Sequence, residues 1–287
     1  MFGNNMKIER LKRFFGQIRQ NQSASIGLFI LVLILLTSAF APVIAPYEPT
    51  ETNPTERFEG PSAEHPFGTD DLGRDTLTRT LYGGQTSLLM GFTSIAFALL
   101  FGVPMGIFAG YSGRKTDEVI MRGLDVLMSF PTLILALLVL TALGSSAVNA
   151  IIAIGVVYTP RIARVVRANT LSVKNEEYIE AAIARGESTR YILSKEILPN
   201  VGGPIIVEAS IRIGYAITIA ATLSFLGLGA QPPTADWGLM ISEARDNIYS
   251  SPWVLLFPSL FLGATVLALN LLGDGLGDIL DPQNRSH

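Results

Sequence analysis

The sequence of 287 residues contains no cysteine and only two histidines, His65 and His287. Without cysteine, disulfides, thiolate metal ligands and thiol nucleophiles are excluded, and two histidines cannot form a metal cluster by themselves. A G-x-x-x-x-G-K-[ST] segment is also missing, so the chain has no P-loop to bind the phosphates of ATP. The sequence therefore predicts neither a metal site nor catalytic residues.

Charge is scarce and slightly negative. Charged residues make up 16% of the chain, and the formal net charge is -3 at pH 7. Nucleic-acid binding requires an excess of positive charge, so nucleic acid is excluded as a partner. In contrast, 49% of the residues are hydrophobic and the mean hydropathy is +0.41. These values predict an integral membrane protein embedded in a lipid bilayer.

Apolar runs long enough to cross a bilayer define the predicted fold, since a core about 30 Å thick needs roughly 20 helical residues. The uncharged run 126–160 is too long for one span, and a turn is predicted within it at 144–147. The fifth span is expected to begin near Ile205. The prediction is an all-α membrane protein with six transmembrane helices, at 24–46, 87–109, the two halves of 126–160, 213–228 and 253–272.

The distribution of Lys and Arg predicts the orientation of the spans, because cytoplasmic loops are enriched in both residues. A basic tail at 1–23, the loop 161–204 and a tail at 281–287 are expected in the cytoplasm, as for a multi-pass inner-membrane protein with both termini cytoplasmic. Residues 47–85 form the predicted extracytoplasmic loop, and 86–280 a five-helix core. A cleaved signal peptide ending near Ala39–Ala41 is the alternative for the first span.

The polar segment 177–200, EYIEAAIARGESTRYILSKEILPN, separates the fourth and fifth spans. Its spacing predicts a short helix around Glu180, a left-handed glycine cap at Gly186, and a second helix that starts at Ser188 or Thr189 and is stopped by Pro199. Small alanines beside a fixed charge indicate a docking surface. An amphipathic hairpin resting on the membrane surface is the alternative.

This segment resembles the cytoplasmic loop of ABC importer permeases, with E-A-A, three residues, Gly, about ten residues and I-L-P. Four further stretches resemble, in order, the C-type subunit of the dipeptide, oligopeptide and nickel branch. They are HPFGTDDLGRDTLTRTLYGGQTSL (65–88), DVLMSFPTLILAL (125–137), LSFLGLGAQPPTADWGLMISEAR (223–245) and NLLGDGLGDILDP (270–282). The resemblance extends from about residue 24 to residue 283.

The resemblance implies a permease subunit of an ATP-driven peptide importer that forms half of the translocation pathway. The implied partners are a second homologous permease, two ATP-binding subunits that carry ATP and Mg, and an extracytoplasmic solute-binding protein; this chain itself binds no cofactor. A nickel, glutathione or oligosaccharide importer, or an ion-coupled secondary transporter, is the alternative. The residues implied to couple to the ATPase are Glu180, Ala181, Ala182, Gly186, Ile197, Leu198 and Pro199.

Three glycines recur at every fourth position of the second span, at Gly102, Gly106 and Gly110. This spacing favours close packing of helices in lipid over a pore-lining role. Pro104 in the second span and Pro131 in the third are predicted to bend their helices.

Glu208 and Arg212 are four residues apart and are predicted to pair on one helix face. Two interpretations are possible: the pair lines the translocation path, or it lies at the membrane interface near the cytoplasmic end. The acidic loop is expected to be solvated, although the alternating charges of GTDDLGRD (68–75) could order it against a partner. GDGLGD (273–278) is predicted to be a glycine-rich helix exit rather than a cation site.

Overall fold

The computed structural model describes residues 16–280, within which the regular elements are helices and no strand is formed. The predicted tail 281–287, including His287, and residues 1–15 of the predicted tail 1–23 lie outside this range. Short helical turns occur at Ala41–Ile44, Pro54–Glu56, Thr189–Tyr191, Ile192–Ile197 and Arg245–Asn247. The main helices are α1 (Gln22–Ala39), α2 (Thr76–Tyr111), α3 (Arg114–Met128), α4 (Thr132–Leu143), α5 (Ala147–Val173), α6 (Glu177–Ala184), α7 (Leu198–Phe225), α8 (Trp237–Ala244) and α9 (Pro252–Leu280).

The six-span prediction agrees with the fold. Five helical segments are long and apolar enough to cross a bilayer, and the total is six if the pair α3 and α4, bent by 90°, is counted as one broken span. The predicted turn at 144–147 is confirmed, because α4 ends at Leu143 and the side chain of Ser146 caps α5. The predicted bend at Pro131 is confirmed as well. The bend arises because proline disfavours helical backbone at the residue before it.

The second span is longer than predicted. α2 begins at Thr76, where the carboxylate of Asp75 accepts a 2.6 Å hydrogen bond from the backbone N–H of Thr78. Residues 76–85, predicted as loop, are therefore helical. The prediction missed this part of the helix because it required an uncharged run, which Arg79 interrupts. Arg79 is nevertheless buried, with only 1% of the residue exposed.

The fifth span also begins earlier than predicted. Pro199 does not stop the helix of the 177–200 segment, since the chain is helical from Thr189 to Phe225. Residues Ile192–Ile197 form a π-helical segment, in which the N–H of Leu198 donates to the carbonyl of Leu193. Proline lacks an N–H and crowds the carbonyl four residues before it in an α-helix, whereas the wider π turn changes that geometry and places Pro199 in the first turn of α7.

The last span continues through GDGLGD, so the predicted helix exit at 273–278 is wrong. The glycines there let neighbouring helices approach: a Cβ added at Gly273 would lie 2.6 Å from Cγ1 of Ile211, and one at Gly275 would lie 2.6 Å from Cβ of Ala24. α9 therefore packs closely against α1 and α7.

The largest apolar core lies between α2, α4, α5 and α7. α1 covers α9 and contributes a second cluster with α2 and α7. The outward face of α1 exposes large apolar side chains such as Phe29, which is 70% exposed. In water such a surface would be unfavourable, whereas a lipid bilayer accommodates it.

Candidate functional site

The 177–200 segment is a helical hairpin with a defined turn, and we refer to residues 177–200 as the hairpin. α6 ends in a Schellman motif, in which Gly186 N–H donates to Ile183 and Glu187 N–H donates to Ala182. Gly186 has φ +78° and nothing within 4 Å of its missing side chain, so its requirement for glycine is conformational. The side chain of Ser188 then caps the next helix by accepting from the N–H of Tyr191. Both predicted caps are confirmed.

The hairpin has an inner and an outer face. Four of its residues are buried against the bundle, namely Ile179, Ala182, Ile192 and Ile197. Two of the residues predicted to couple to a partner, Ala182 and Ile197, therefore lie inside and support the hairpin rather than form its surface. The outer face exposes Tyr178, Glu180, Ala181, Ile183, Gly186, Leu198 and Pro199.

A polar stripe follows one face of α7 within the bundle. Nε of Arg212 lies 2.6 Å from Oε1 of Glu208, which confirms the predicted pairing. The Arg212 guanidinium lies 5.7 Å from the centroid of the Tyr215 ring, and half of Tyr215 is exposed. Thr218 is exposed and Thr222 partly exposed, on the same side and nearer the helix end. A polar exposed face on an otherwise apolar span is expected where a helix borders water or another subunit.

Three arginines of α5 point toward the bent span. Arg167 binds Asp117 through two hydrogen bonds, and Arg164 binds Asp125. These pairs hold the amphipathic helix α3 along the end of α5. The positive-inside argument identified the arginines but not their acceptors, which lie 39 and 50 residues earlier in the chain.

The glycine seam of α2 lies against α5. A Cβ added at Gly102, Gly106 or Gly110 would come within 2.9 Å, 2.5 Å or 2.7 Å of an atom of α5. The nearest atom at Gly106 is the carbonyl oxygen of Ala163, which cannot move without its helix. The geometry is that of two helices in backbone contact.

The acidic loop is solvated only in part: Glu48, Glu51, Glu59 and Glu64 are exposed as predicted, whereas Asp70 and Asp75 are buried, contrary to the prediction. We call residues 47–75 together with α8 the acidic cap. Within it, Asp70 accepts hydrogen bonds from the backbone N–H groups of Leu72 and Arg74 and lies 2.6 Å from Nε of Arg74. Its side chain is only 6% exposed. The alternating charges of GTDDLGRD therefore form an internal network, which the default of a solvated loop overlooked.

Glu243 of α8 completes this network. Its Oε2 atom lies 3.1 Å from Nη2 of Arg74 and 3.0 Å from Nη2 of Arg79, so one carboxylate connects the loop, α2 and α8. Sequence reasoning missed Glu243, because its partners are 164 and 169 residues away in the chain. The sequence shows only that Glu243 is an acidic residue in a short amphipathic helix, and this pattern does not identify a member of an ion network.

The start of α8 is anchored to the bundle by Asp236 and Trp237. Asp236 is fully buried, accepts a 2.7 Å hydrogen bond from Ser87 Oγ and caps α8 at Leu239 N–H. Burial raises the pKa of its carboxyl. Trp237 donates from Nε1 to the carbonyl of Thr80. α8 is therefore fixed to α2 at both of its ends.

His65 lies between two carboxylates of the acidic cap. Nδ1 is 2.9 Å from Asp75 Oδ2 and Nε2 is 3.4 Å from Glu56 Oε2, while the ring stacks on Tyr47. Burial opposes the charged ring, but the hydrogen bonds and charges of Asp75 and Glu56 outweigh it, so the pKa of His65 is raised. Among residues 16–280, no group of His, Asp and Glu has an arrangement that could hold a metal ion.

Comparison with known proteins agrees with this architecture. The sequence profile of the family described as "Binding-protein-dependent transport system inner membrane component" matches residues 102–286, and that of the "N-terminal TM domain of oligopeptide transport permease C" matches residues 10–61. A solved inward-facing structure of the MetNI methionine ABC transporter has a similar fold, with a TM-score of 0.59 and 21% identity over 71% of this chain and 96% of that chain.

Curated relatives cover nearly the whole chain. The dipeptide transport system permease protein DppC of Alkalihalophilus pseudofirmus is 46% identical over 95% of this chain and 90% of its own length. The di/tripeptide transport system permease protein DppC of Pseudomonas aeruginosa is 40% identical, covering 95% and 92%. The glutathione transport system permease protein GsiD of Pectobacterium atrosepticum is 44% identical, covering 94% and 89%.

The fold is thus that of an ABC-transporter membrane subunit. The chain belongs to the family of binding-protein-dependent transport system inner membrane components, in its dipeptide, oligopeptide and nickel branch. It is a multi-pass membrane protein and a translocating subunit.

Proposed function

We propose that this chain is one of two different permease subunits of an importer that takes up di- or oligopeptides across the inner membrane. The observation that carries the proposal is the hairpin, whose inner face is packed and whose outer face is exposed around Glu180. Two separate ATP-binding subunits hold ATP and Mg, and one of them docks on this face. An extracytoplasmic solute-binding protein delivers the peptide, and both termini of the chain lie in the cytoplasm.

Within the hairpin, the Schellman turn at Gly186 makes α6 a rigid lever. Movement of the ATPase subunits against Glu180 and Ala181 is transmitted through the buried side chains of Ala182 and Ile197 into the bundle. Leu198 and Pro199 carry it on into α7, because the helix is continuous there. The bundle then alternates between outward-facing and inward-facing states.

The polar stripe of α7 forms part of the translocation pathway, together with the second permease. Glu208 and Arg212 neutralise one another, which lowers the cost of keeping both charges within the membrane. The packed glycine seam between α2 and α5 is part of the scaffold on which α7 moves.

Peptide is favoured as the solute because relatives named for dipeptide and di/tripeptide transport match nearly the full chain. Glutathione is the second candidate, since a glutathione transport permease is similarly close. Nickel and oligosaccharide importers of the same branch, and an ion-coupled secondary transporter, are the remaining rivals.

The proposal is tested by purifying the tagged chain gently from its native membranes and identifying the copurifying proteins by mass spectrometry. A second permease and P-loop ATPases are expected with the wild type. The double variant Gly186→Val with Glu180→Lys is expected to insert normally but to lose the ATPases. Gly202→Val is the matched control, because Gly202 also has nothing within 4 Å but lies in the continuous helix without a positive φ.

Uptake and ATP hydrolysis by the reconstituted complex complete the test. Gly186→Val is expected to uncouple hydrolysis from uptake, because valine is strained at φ +78° and displaces α6. A wild-type chain that purifies alone would reject docking at the hairpin and favour the secondary transporter. Normal uptake by the Gly186→Val variant would reject the coupling role of Gly186.

A further inference from the structure

Arg161 differs from the other two arginines of α5 in its partners. Arg164 and Arg167 each bind an aspartate of α3, whereas Arg161 donates from Nη2 to the hydroxyl of Thr132 at 2.8 Å. Its guanidinium also lies 5.5 Å from the centroid of the Tyr158 ring. Among the residues that the structure describes, no carboxylate forms an ion pair with Arg161.

Arg161 and Arg212 both lie on helices that are long and apolar enough to cross a bilayer. Arg161 follows Ala147, the first residue of α5, by fourteen positions, which at 1.5 Å per residue places it about 21 Å along the helix. Arg212 precedes Phe225, the last residue of α7, by thirteen positions and is therefore about 20 Å from that end. Both ends adjoin the turns on the same side of the bundle. The two guanidiniums therefore lie at about the same level of the bundle.

The two arginines belong to one cluster. They lie at about the same level of α5 and α7, which pack against each other, and the guanidinium of Arg161 lies over the buried ring of Tyr158. Glu208 offsets the charge of Arg212, and the cluster therefore carries one excess positive charge. A guanidinium without a carboxylate partner is costly in lipid, and charged residues of spanning helices therefore face the bundle interior or a water-filled cavity.

We propose that Arg161 is an anion-binding residue of the translocation pathway, which holds the carboxylate of a passing peptide where α4, α5 and α7 meet. The proposal rests on the proposed function, since it requires this face of α7 to border the pathway. A guanidinium binds a carboxylate through two parallel N–H···O bonds, and each linear peptide with a free C-terminus carries such a carboxylate. The excess positive charge would repel a free divalent cation, which opposes nickel as the solute.

The absence of cysteine from the chain gives a direct test. Arg161→Cys is introduced into the complete importer, purified with its partners and reconstituted into vesicles, and dipeptide uptake is measured. A loss of about tenfold is expected, the size of one lost charge-assisted hydrogen bond. Aminoethyl methanethiosulfonate, which restores a positive charge, is expected to recover most of the uptake. The neutral methyl and the anionic sulfonatoethyl reagents are expected to recover none.

Protection supplies a second readout. During turnover, dipeptide is expected to slow modification of the introduced cysteine by the sulfonatoethyl reagent at least about threefold, because peptide carboxylate and reagent compete for one site. Arg164→Cys is the matched control, since Arg164 is half-exposed and already bound to Asp125, and its modification should be indifferent to peptide. Wild-type complex treated in parallel gives the baseline for cysteines of the partners.

Three outcomes would overturn the anion site. In the first, the cysteine at 161 is inaccessible to reagent in the bilayer. In the second, neutral and cationic reagents rescue equally. In the third, Thr132→Val lowers uptake as much as Arg161→Cys, which would show that Arg161 serves to hold α4 in place through its hydrogen bond to Thr132. These three outcomes can be interpreted only if the wild-type complex takes up peptide. A wild-type complex without uptake would instead contradict the proposed function.

Discussion

The acidic cap and the hairpin are both polar segments joined to the same apolar bundle, yet they are built in opposite ways. In the cap, charged side chains are buried and bound to one another, as Asp70, Arg74 and Arg79 are with Glu243. In the hairpin, the nearest charge contacts of Arg185 are 3.8 and 3.9 Å long, and its side chain is 55% exposed.

The difference indicates which of the two regions satisfies its charged groups within this chain and which leaves them available to a partner. A buried ion network loses much of its stability when one member is removed, so the cap is expected to behave as one rigid unit with α2 and α8. The hairpin retains only the apolar contacts of its inner face. Its charged outer face is left free to form bonds with another protein.

The largest expected effect is in the cap and uses two neighbouring aspartates. Asp70→Ala removes a buried carboxylate that binds Arg74 and two backbone N–H groups, and should lower the free energy of unfolding by about 3–5 kcal/mol. Asp71→Ala should cost less than about 1 kcal/mol, because the Asp71 side chain is 40% exposed. Thermal unfolding of the purified protein in detergent would compare them. Equal losses would show that burial of the network does not determine stability.

The next effect compares two glycines. Gly106→Ala places a Cβ 2.5 Å from a carbonyl oxygen of α5, so the helices must separate, and unfolding and membrane assembly should both be impaired. Gly186→Ala meets no neighbouring atom and carries only a backbone strain of about 1–2 kcal/mol, confined to the hairpin. Thermal unfolding and proteolysis of the hairpin would separate the two. A Gly186→Ala protein that unfolds as readily as Gly106→Ala would contradict this distinction.

The smallest expected effect is the pH dependence of the cap. Because the folded-state pKa of His65 is raised, its bonds to Asp75 and Glu56 contribute stability that is complete below about pH 6.5. This contribution is lost as the pH rises through the raised pKa. The thermal midpoint of the wild type should therefore fall from pH 6 to pH 9 more than that of His65→Gln. If the thermal midpoint of His65→Gln fell as much as that of the wild type, His65 would be excluded as the source of the pH dependence.

Sequence patterns predicted the features that depend on local residues. The caps at Gly186 and Ser188, the turn at Gly144 and the bend at Pro131 follow from backbone preferences within a few positions. The pairing of Glu208 with Arg212 follows from helical spacing alone. The number of spans follows from apolar length.

The missed features depend on tertiary contacts. Arg79 interrupts an apolar run, and the first turns of α2 were therefore not predicted as part of the span. Its charge is compensated by Glu243, which only the tertiary fold brings close to it. The glycines at 273–278 are typical of a helix end, yet here they admit Ala24 and Ile211. Pro199 would end an isolated α-helix, but a π turn accommodates it.

That π turn also sets the angular phase between the hairpin and α7. An α-helix advances about 100° per residue, and a π turn absorbs one extra residue without breaking the helix. If Ile192–Ile197 became regular α-helix with all its residues retained, the hairpin would rotate by about 100° about the axis of α7, whereas deleting one of these residues would leave its direction nearly unchanged. The direction in which Glu180 faces, relative to the polar stripe of Glu208, Arg212 and Tyr215, is thus determined by the π turn.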